Sequence, residues 1–146
     1  MEDSVILHGD QVTFLPAFGA AIVVVRPGAM EGSGKMTVNG KKVCVRGDEK
    51  QLSIPNCMYT AGSFVTPGMG TLQISALGPD QLSKKTQLDG KPLVLKGSNL
   101  VAKFVVKTPA QQPPAPPAIP NPVSDPMPEY PGSGSFITTN TRLKAG

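Results

Sequence analysis

Two short segments of this chain match nearly position for position at a constant offset of 50 residues. They are Val38-Asn39-Gly40-Lys41-Lys42-Val43-Cys44-Val45-Arg46-Gly47 and Leu88-Asp89-Gly90-Lys91-Pro92-Leu93-Val94-Leu95-Lys96-Gly97. Aliphatic meets aliphatic, Asn meets Asp, Arg meets Lys, and Gly meets Gly twice. Each segment sets an Asn-Gly or Asp-Gly between apolar runs. That dipeptide is the strongest short-range hairpin signal, because both central residues of the tight turn need φ > 0. Repetition with matching flanks points to duplication or to a symmetry demand. The chain is therefore expected to be all-β and built on repeated hairpins, with turns at Asn39, Gly40, Asp89 and Gly90.

The flanking sequence agrees. Val12-Thr13-Phe14-Leu15 and residues 20–25 read as strands, with Pro16-Ala17-Phe18-Gly19 turning between them and Arg26-Pro27-Gly28 ending the second. Met36-Thr37-Val38 and Val43-Cys44-Val45 flank the first turn; Leu88 and Leu93-Val94-Leu95 flank the second. Pro92 has no N–H to give a ladder, so an edge or outward position is expected. Thr66-Pro67-Gly68-Met69-Gly70 reads as a turn before a half-buried strand at Thr71-Leu72-Gln73-Ile74-Ser75-Ala76-Leu77, whose apolar residues alternate. Residues 100–106 form the last expected strand. No helical periodicity longer than about two turns interrupts this pattern.

Composition changes near Lys107. Ten of the sixteen prolines lie between Pro109 and Pro131. Proline fixes φ and removes the backbone donor, so neither helix nor central strand is expected there. The expectation is a folded unit over residues 1–106 and an extended tail over 107–146, with polyproline II reaching on the order of 70 Å if straight. Gly132-Ser133-Gly134-Ser135 reads as a flexible joint. The tail reads either as a solvated linker or, the favoured reading, as a strap whose β-prone Phe136-Ile137-Thr138-Thr139 docks on a partner by adding to a sheet edge.

Several function classes are disfavoured. The net charge of +4 is mild, the bases are scattered, and the chain has no Trp, five Phe and two Tyr, which argues against nucleic-acid binding. No apolar run approaches the ~20 residues of a membrane span. Met1-Glu2-Asp3-Ser4 lacks a basic n-region, so synthesis in the cytoplasm without a signal peptide is expected. Ser63 and Ser75 lack a Gly-x-Ser-x-Gly context. Asp48 and Glu49 would face opposite ways on a strand and make a poor acid–base pair; Asp48 reads better as a hairpin end that bonds nearby backbone N–H groups. Gly62, Gly68, Gly70 and Gly78 are not followed by Gly-Lys-Ser/Thr, so no phosphate loop forms. Cys57 with His8 matches no nucleophile signature. The chain is expected not to be an enzyme.

The motif Thr37-Val38-Asn39-Gly40-Lys41-Lys42-Val43-Cys44-Val45-Arg46-Gly47-Asp48 resembles the repeat of the PAAR family and its PAAR-like relatives, the spike-tip proteins of contractile injection systems. Residues 88–98 are a second, looser copy, and residues 5–10, with His8-Gly9-Asp10, are similar to a remnant of the family's opening segment. The resemblance covers residues 1–106. It implies a small cone-like domain of short hairpins about a pseudo-threefold axis. It also implies a partner, a homotrimeric β-helical spike protein bound at one copy per trimer, and transient contact with a target cell envelope. The chain would then be part of an injection particle and exported or released by it. A β cap would also satisfy unpaired backbone edges at the spike end.

Family members commonly hold zinc near the vertex through several histidines and a cysteine. This chain has one histidine, His8. His8, Cys44 and Cys57 are the candidate zinc ligands, with Asp10 or Asp48 as a fourth, since zinc accepts such mixtures tetrahedrally. Buried free thiols and a Cys44–Cys57 disulfide are the other two readings. Without metal the tip would rest on packing by Phe14, Phe18, Phe64 and Leu72. The rival functional reading is a β-sandwich interaction module whose Pro113-x-x-Pro116 tail recruits partner domains.

Overall fold

The computed structural model describes residues 3–88, 90–118, 120–138, 140 and 143–145, and these are all-β apart from one short 3-10 turn at Asp48–Gln51. Strands β1 (Asp3–Ser4), β2 (Gln11–Phe14), β3 (Ala17–Phe18), β4 (Ala21–Val23) and β5 (Gly28–Ala29) open the chain. Next come β6 (Thr37–Val38), β7 (Lys41–Lys42), β8 (Ser53–Ala61), β9 (Phe64–Ala76), β10 (Leu82–Leu88) and β11 (Lys91–Val94). The series ends with β12 (Leu100–Thr108), β13 (Gln111–Gln112), β14 (Val123–Ser124), β15 (Glu129–Ile137) and β16 (Lys144–Ala145).

One large sheet carries the order β3-β4-β8-β9-β12-β15-β2-β5. It curls, because β2 and β3 are two halves of one bent segment. The first half pairs with β15 and the second with β4. Leu15 N–H donates to Ser133 O and Val23 N–H to Pro16 O, one bond on each side of the bend. The concave face encloses the main core. There Phe104 packs against Phe18 and Tyr59, with ring centroids 6.2 and 5.0 Å apart, and Tyr59 against Tyr130 at 6.0 Å.

Several sequence expectations need correction. Residues 53–61 form a long strand that the sequence reading did not assign. Its inward residues Ile54, Cys57, Tyr59 and Ala61 are buried, but a register shift between Ile54 and Cys57 breaks the alternation. Residues 66–70 are not a turn. They continue β9, where Gly70 lies beneath the Phe104 ring and Gly68 against the backbone of residues 108–110. Gly132-Ser133-Gly134-Ser135 is not a joint; it is the middle of β15, an inner strand between β12 and β2. Gly132 faces Phe18, so glycine here makes room for a ring. Residues 16–19 do not all turn, since β3 pairs with β4 across Gly19-Ala20.

The expected boundary at 106/107 falls inside β12, and the chain after it packs back onto the sheet. Gln111 stands opposite both Ser124 and Thr66, so the proline-rich stretch between β13 and β14 leaves and returns to one place instead of extending. Asp125 fixes that return. Its buried carboxylate accepts the hydroxyls of Tyr59 and Tyr130, each at 2.7 Å, and the Met127 N–H at 3.0 Å. Tyr59 Oη in turn accepts the Ala110 N–H.

Candidate functional site

Three short segments outside the large sheet meet as equals: residues 5–7, 43–45 and 93–95. Each forms one antiparallel bridge with each of the other two, Val5–Leu95, Leu7–Val43 and Val45–Leu93. Their central residues close a ring of backbone hydrogen bonds. Ile6 N–H donates to Val94 O (2.8 Å), Val94 N–H to Cys44 O (2.9 Å), and Cys44 N–H to Ile6 O (2.8 Å). Two residues further on the pattern repeats. His8 N–H donates to Lys42 O, Arg46 N–H to Pro92 O and Lys96 N–H to Ser4 O, at 2.7 to 2.9 Å. This is a pseudo-threefold axis written in backbone geometry by a single chain.

Side chains alternate across the ring as strand geometry requires. Ile6, Cys44 and Val94 join the main core. Val5, Leu7, Val43, Val45, Leu93 and Leu95 form a second cluster, all at most 4 % exposed, with Val38, Leu88 and Ala145 packed beside them. Phe14, Phe18 and Leu72, expected to hold the tip, belong to the main core, with Phe64 partly buried against it. The sequence favoured aromatics, but the space between three hairpins is filled by β-branched residues and Leu.

Each ring segment is one limb of an arm. β6 and β7 pair across Asn39 and Gly40, whose φ values of 53° and 79° are those of a type I′ turn. β10 and β11 pair across Gly90, φ 77°; Asp89 lies outside the described residues. The third arm joins distant parts of the chain, since β16 pairs with β1 in the same register. The segment expected to be a family-like opening, His8-Gly9-Asp10, is thus the end of a full third unit beside Arg46-Gly47-Asp48 and Lys96-Gly97-Ser98. The three glycines have φ of 91°, 106° and 51°. That signal was present in the sequence. Its missing half was not, because Lys144 and Ala145 carry no motif.

Carboxylates lock two of the three turns. Asp10 accepts the Leu7 N–H at 2.8 Å, and Asp48 accepts the Val45 N–H at 2.9 Å, the hairpin-end role expected of it. Asp48 also takes the N–H and hydroxyl of Ser33. In the third unit the residue is Ser98, and the Leu95 N–H goes to the backbone carbonyl of Gln81 instead. Gln81 is itself fully buried and bridges Gly78 N–H to Lys96 O. That arm also carries a local insertion. Leu93 N–H donates to Ser83 Oγ, which donates to Thr86 O, so a hydroxyl sits within the hairpin ladder at its register shift.

The candidate zinc ligands do not come together. His8 is exposed, and its Nδ1 accepts the Gly32 N–H at 3.2 Å. Cys44 lies in the ring with its thiol in the main core. Burial pushes that thiol far up, and the carboxylates of Asp48, Asp10 and Glu49 add to the effect. Cys57 lies in β8 with Sγ 3.7 Å from Ile54 O. Both thiols are free, and no three His, Cys, Asp or Glu side chains gather for a metal among the described residues. Among the described residues, the donors present do not make a zinc site.

The expected docking strap pairs within its own chain. Phe136 is opposite Val12 and 1 % exposed, and Ile137 is opposite Gln11. Thr138 Oγ1 donates to Asp10 Oδ2 at 2.5 Å, tying β15 to the first ring turn. Thr139 lies outside the described residues. From there Asn140 donates to Val5 O and Leu143 O and so steers the chain into β16.

Fold and site together define a small all-β protein in which one chain sets three equivalent arms about a pseudo-threefold axis. The family profile for contractile injection system spike tip proteins matches residues 1–146, the whole chain, and the chain belongs to that family. It is thus a component of a contractile injection particle. A search of curated proteins finds no match. No helix among the described residues is long and apolar enough to cross a membrane.

Proposed function

We propose that the chain caps the end of a homotrimeric β-helical spike, one copy per trimer, and leads that spike through the target envelope when the particle contracts. The closed ring of Ile6, Cys44 and Val94 carries this reading. A single asymmetric chain can sit on a threefold partner only where its own surface repeats three times about one axis. The three-arm end does so; the curled sheet does not. The docking face is therefore the arm end. Its work is mechanical, with stiffness from tight turns and from buried N–H groups locked by Asp10, Asp48 and Gln81, and it needs no catalysis. The rival β-sandwich module would need two stacked sheets, whereas the body here is one curled sheet.

Co-expression with the spike protein of the same particle tests the proposal. One copy of this chain per spike trimer by native mass spectrometry supports it. A monomer indifferent to the assembled trimer rejects it.

A further inference from the structure

Ten of the fourteen Lys and Arg residues belong to the segments that build the arms and ring turns: 35, 41, 42, 46, 50, 84, 85, 91, 96 and 144, and all ten are exposed. The carboxylates of the same region are fewer at the surface: Glu31 and Asp80 are exposed, Asp80 accepting the Ser98 hydroxyl, and Asp3 is half-buried. Asp10, Asp48 and Glu49 are each at most 7 % exposed and accept backbone N–H groups. The surface around the ring is therefore cationic, although the net charge of the chain is small.

Within that surface, one position repeats with the axis. His8, Arg46 and Lys96 each stand two residues after a ring residue and directly before a left-handed glycine. Each donates its backbone N–H to the neighbouring unit in the same way, and all three side chains are exposed. Because His8 Nδ1 accepts a hydrogen bond, its Nε2 is the nitrogen that carries a proton outward. Three equivalent positions thus present three N–H donors, two on permanent cations.

We propose that His8, Arg46 and Lys96 are a threefold set of docking donors, each engaging the same carboxylate on one chain of the trimeric spike. This rests on the capping reading above and adds the chemistry of the partner surface: an acidic residue repeated about the spike axis. An anionic membrane would also attract the cations but makes no use of their threefold placement. The symmetry favours the protein partner. Complementary charges of this kind set orientation and encounter rate at an interface.

The test is binding of the full chain to the purified trimeric spike protein of the same particle, at several salt concentrations. Arg46→Glu and Lys96→Glu are each expected to weaken binding about tenfold, and the double variant more, with flattened salt dependence. Lys107→Glu, an exposed charge on β12 away from the arms, is expected to leave affinity within about twofold. Unchanged melting temperatures show that folding is not the cause. If the parent chain fails to bind the trimer at all, the capping reading falls. If it binds but the reversals and salt have no effect, this inference alone falls. Loss of binding to phosphatidylglycerol vesicles with intact binding to the spike also overturns it.

Discussion

Asp3 lies directly opposite Ala145 in an antiparallel pair, three residues before the ring residue Ile6. Lys41 stands opposite Val38 at the same distance before Cys44, and Lys91 opposite Leu88 before Val94. The third arm is a hairpin in register without a connecting turn of its own. If register alone makes the arms equivalent, the turn and the opening can be exchanged. A version in which Ala145 runs through Asn-Gly into Asp3, and which is opened between Asn39 and Gly40, should unfold cooperatively with a melting temperature within about 5 °C of the parent. A non-cooperative, dye-binding product would show that the arms are not interchangeable.

The aspartate locks give a contrast within the same ring. Asp48→Ala leaves the buried Val45 N–H without its acceptor and should cost about 2 kcal/mol in urea unfolding. Asp10→Ala should cost a similar amount, because it frees the Leu7 N–H and the Thr138 hydroxyl together. Ser98→Asp restores the motif in the third unit but should gain less than about 0.5 kcal/mol, since Gln81 O already occupies the Leu95 N–H. A clear gain at Ser98 would contradict the assigned substitution of roles.

What was legible in the sequence was local and repeated. Asn39-Gly40 and Gly90 announced their turns because φ > 0 restricts composition strongly. The apolar alternation around Leu72 announced the second half of β9, and the apolar run at residues 100–106 announced most of β12. Gly70, Gly132 and Gly134 misled, because glycine signals a turn by its backbone freedom but serves here by its missing side chain under Phe104, Phe18 and the β2 backbone. Prolines 109 to 131 suggested separation from the fold. The tie that prevents it, Asp125 to Tyr59 and Tyr130, spans up to 66 residues and has no sequence pattern. The ring itself was half visible: two copies were plain, and the third lacked its opposite strand until Ala145 was found beside Asp3.

Those glycines are testable. Gly132→Ala and Gly70→Ala place a methyl group against the faces of Phe18 and Phe104, rigid rings in the packed core. Each should destabilise by about 1–3 kcal/mol, the usual range for overpacking. Gly62→Ala, at a turn tip with open space around the added carbon and φ of 56°, should cost less, about 1 kcal/mol of backbone strain. Thermal melts of the three proteins order the costs. Equal losses would mean that ring stacking does not hold β9 and β15 in place.

The thiols speak to metal binding. Cys44 and Cys57 are both buried, and the Cys44 thiol is held in its neutral form by its surroundings. Neither is expected to react with an aromatic disulfide reagent until the protein is unfolded in guanidinium, when both should. One equivalent of zinc, or excess chelator, should leave the melting temperature unchanged within error. A zinc-dependent rise that Cys44→Ser abolishes would restore the metal site that His8, Cys44 and Cys57 suggested.

The Asp125 node makes the most specific statement about pH. Burial alone would raise Asp125, but the Met127 N–H and the Tyr130 and Tyr59 hydroxyls outweigh it and hold the carboxyl below its ordinary value. Its contribution to stability is therefore complete above the ordinary carboxylate range and is lost as pH falls through the lower folded value. The tyrosines run the other way. Burial first, then the Asp125 carboxylate, pushes Tyr59 from 10.0 up to about 12, and Tyr130 shifts in the same direction. Their contribution is complete below about pH 10 and is lost as pH rises from there towards 12. These are the only two tyrosines in the chain, so phenolate absorbance reports this node alone. In the native protein no phenolate should form near pH 10; it should arrive in one cooperative step at higher pH, together with loss of β circular dichroism. Asp125→Asn keeps the shape but removes the charge, and should move that step down in pH while lowering stability by about 1–3 kcal/mol. Phenolate titrating near pH 10 with the fold intact would mean that the two hydroxyls are not bound to Asp125.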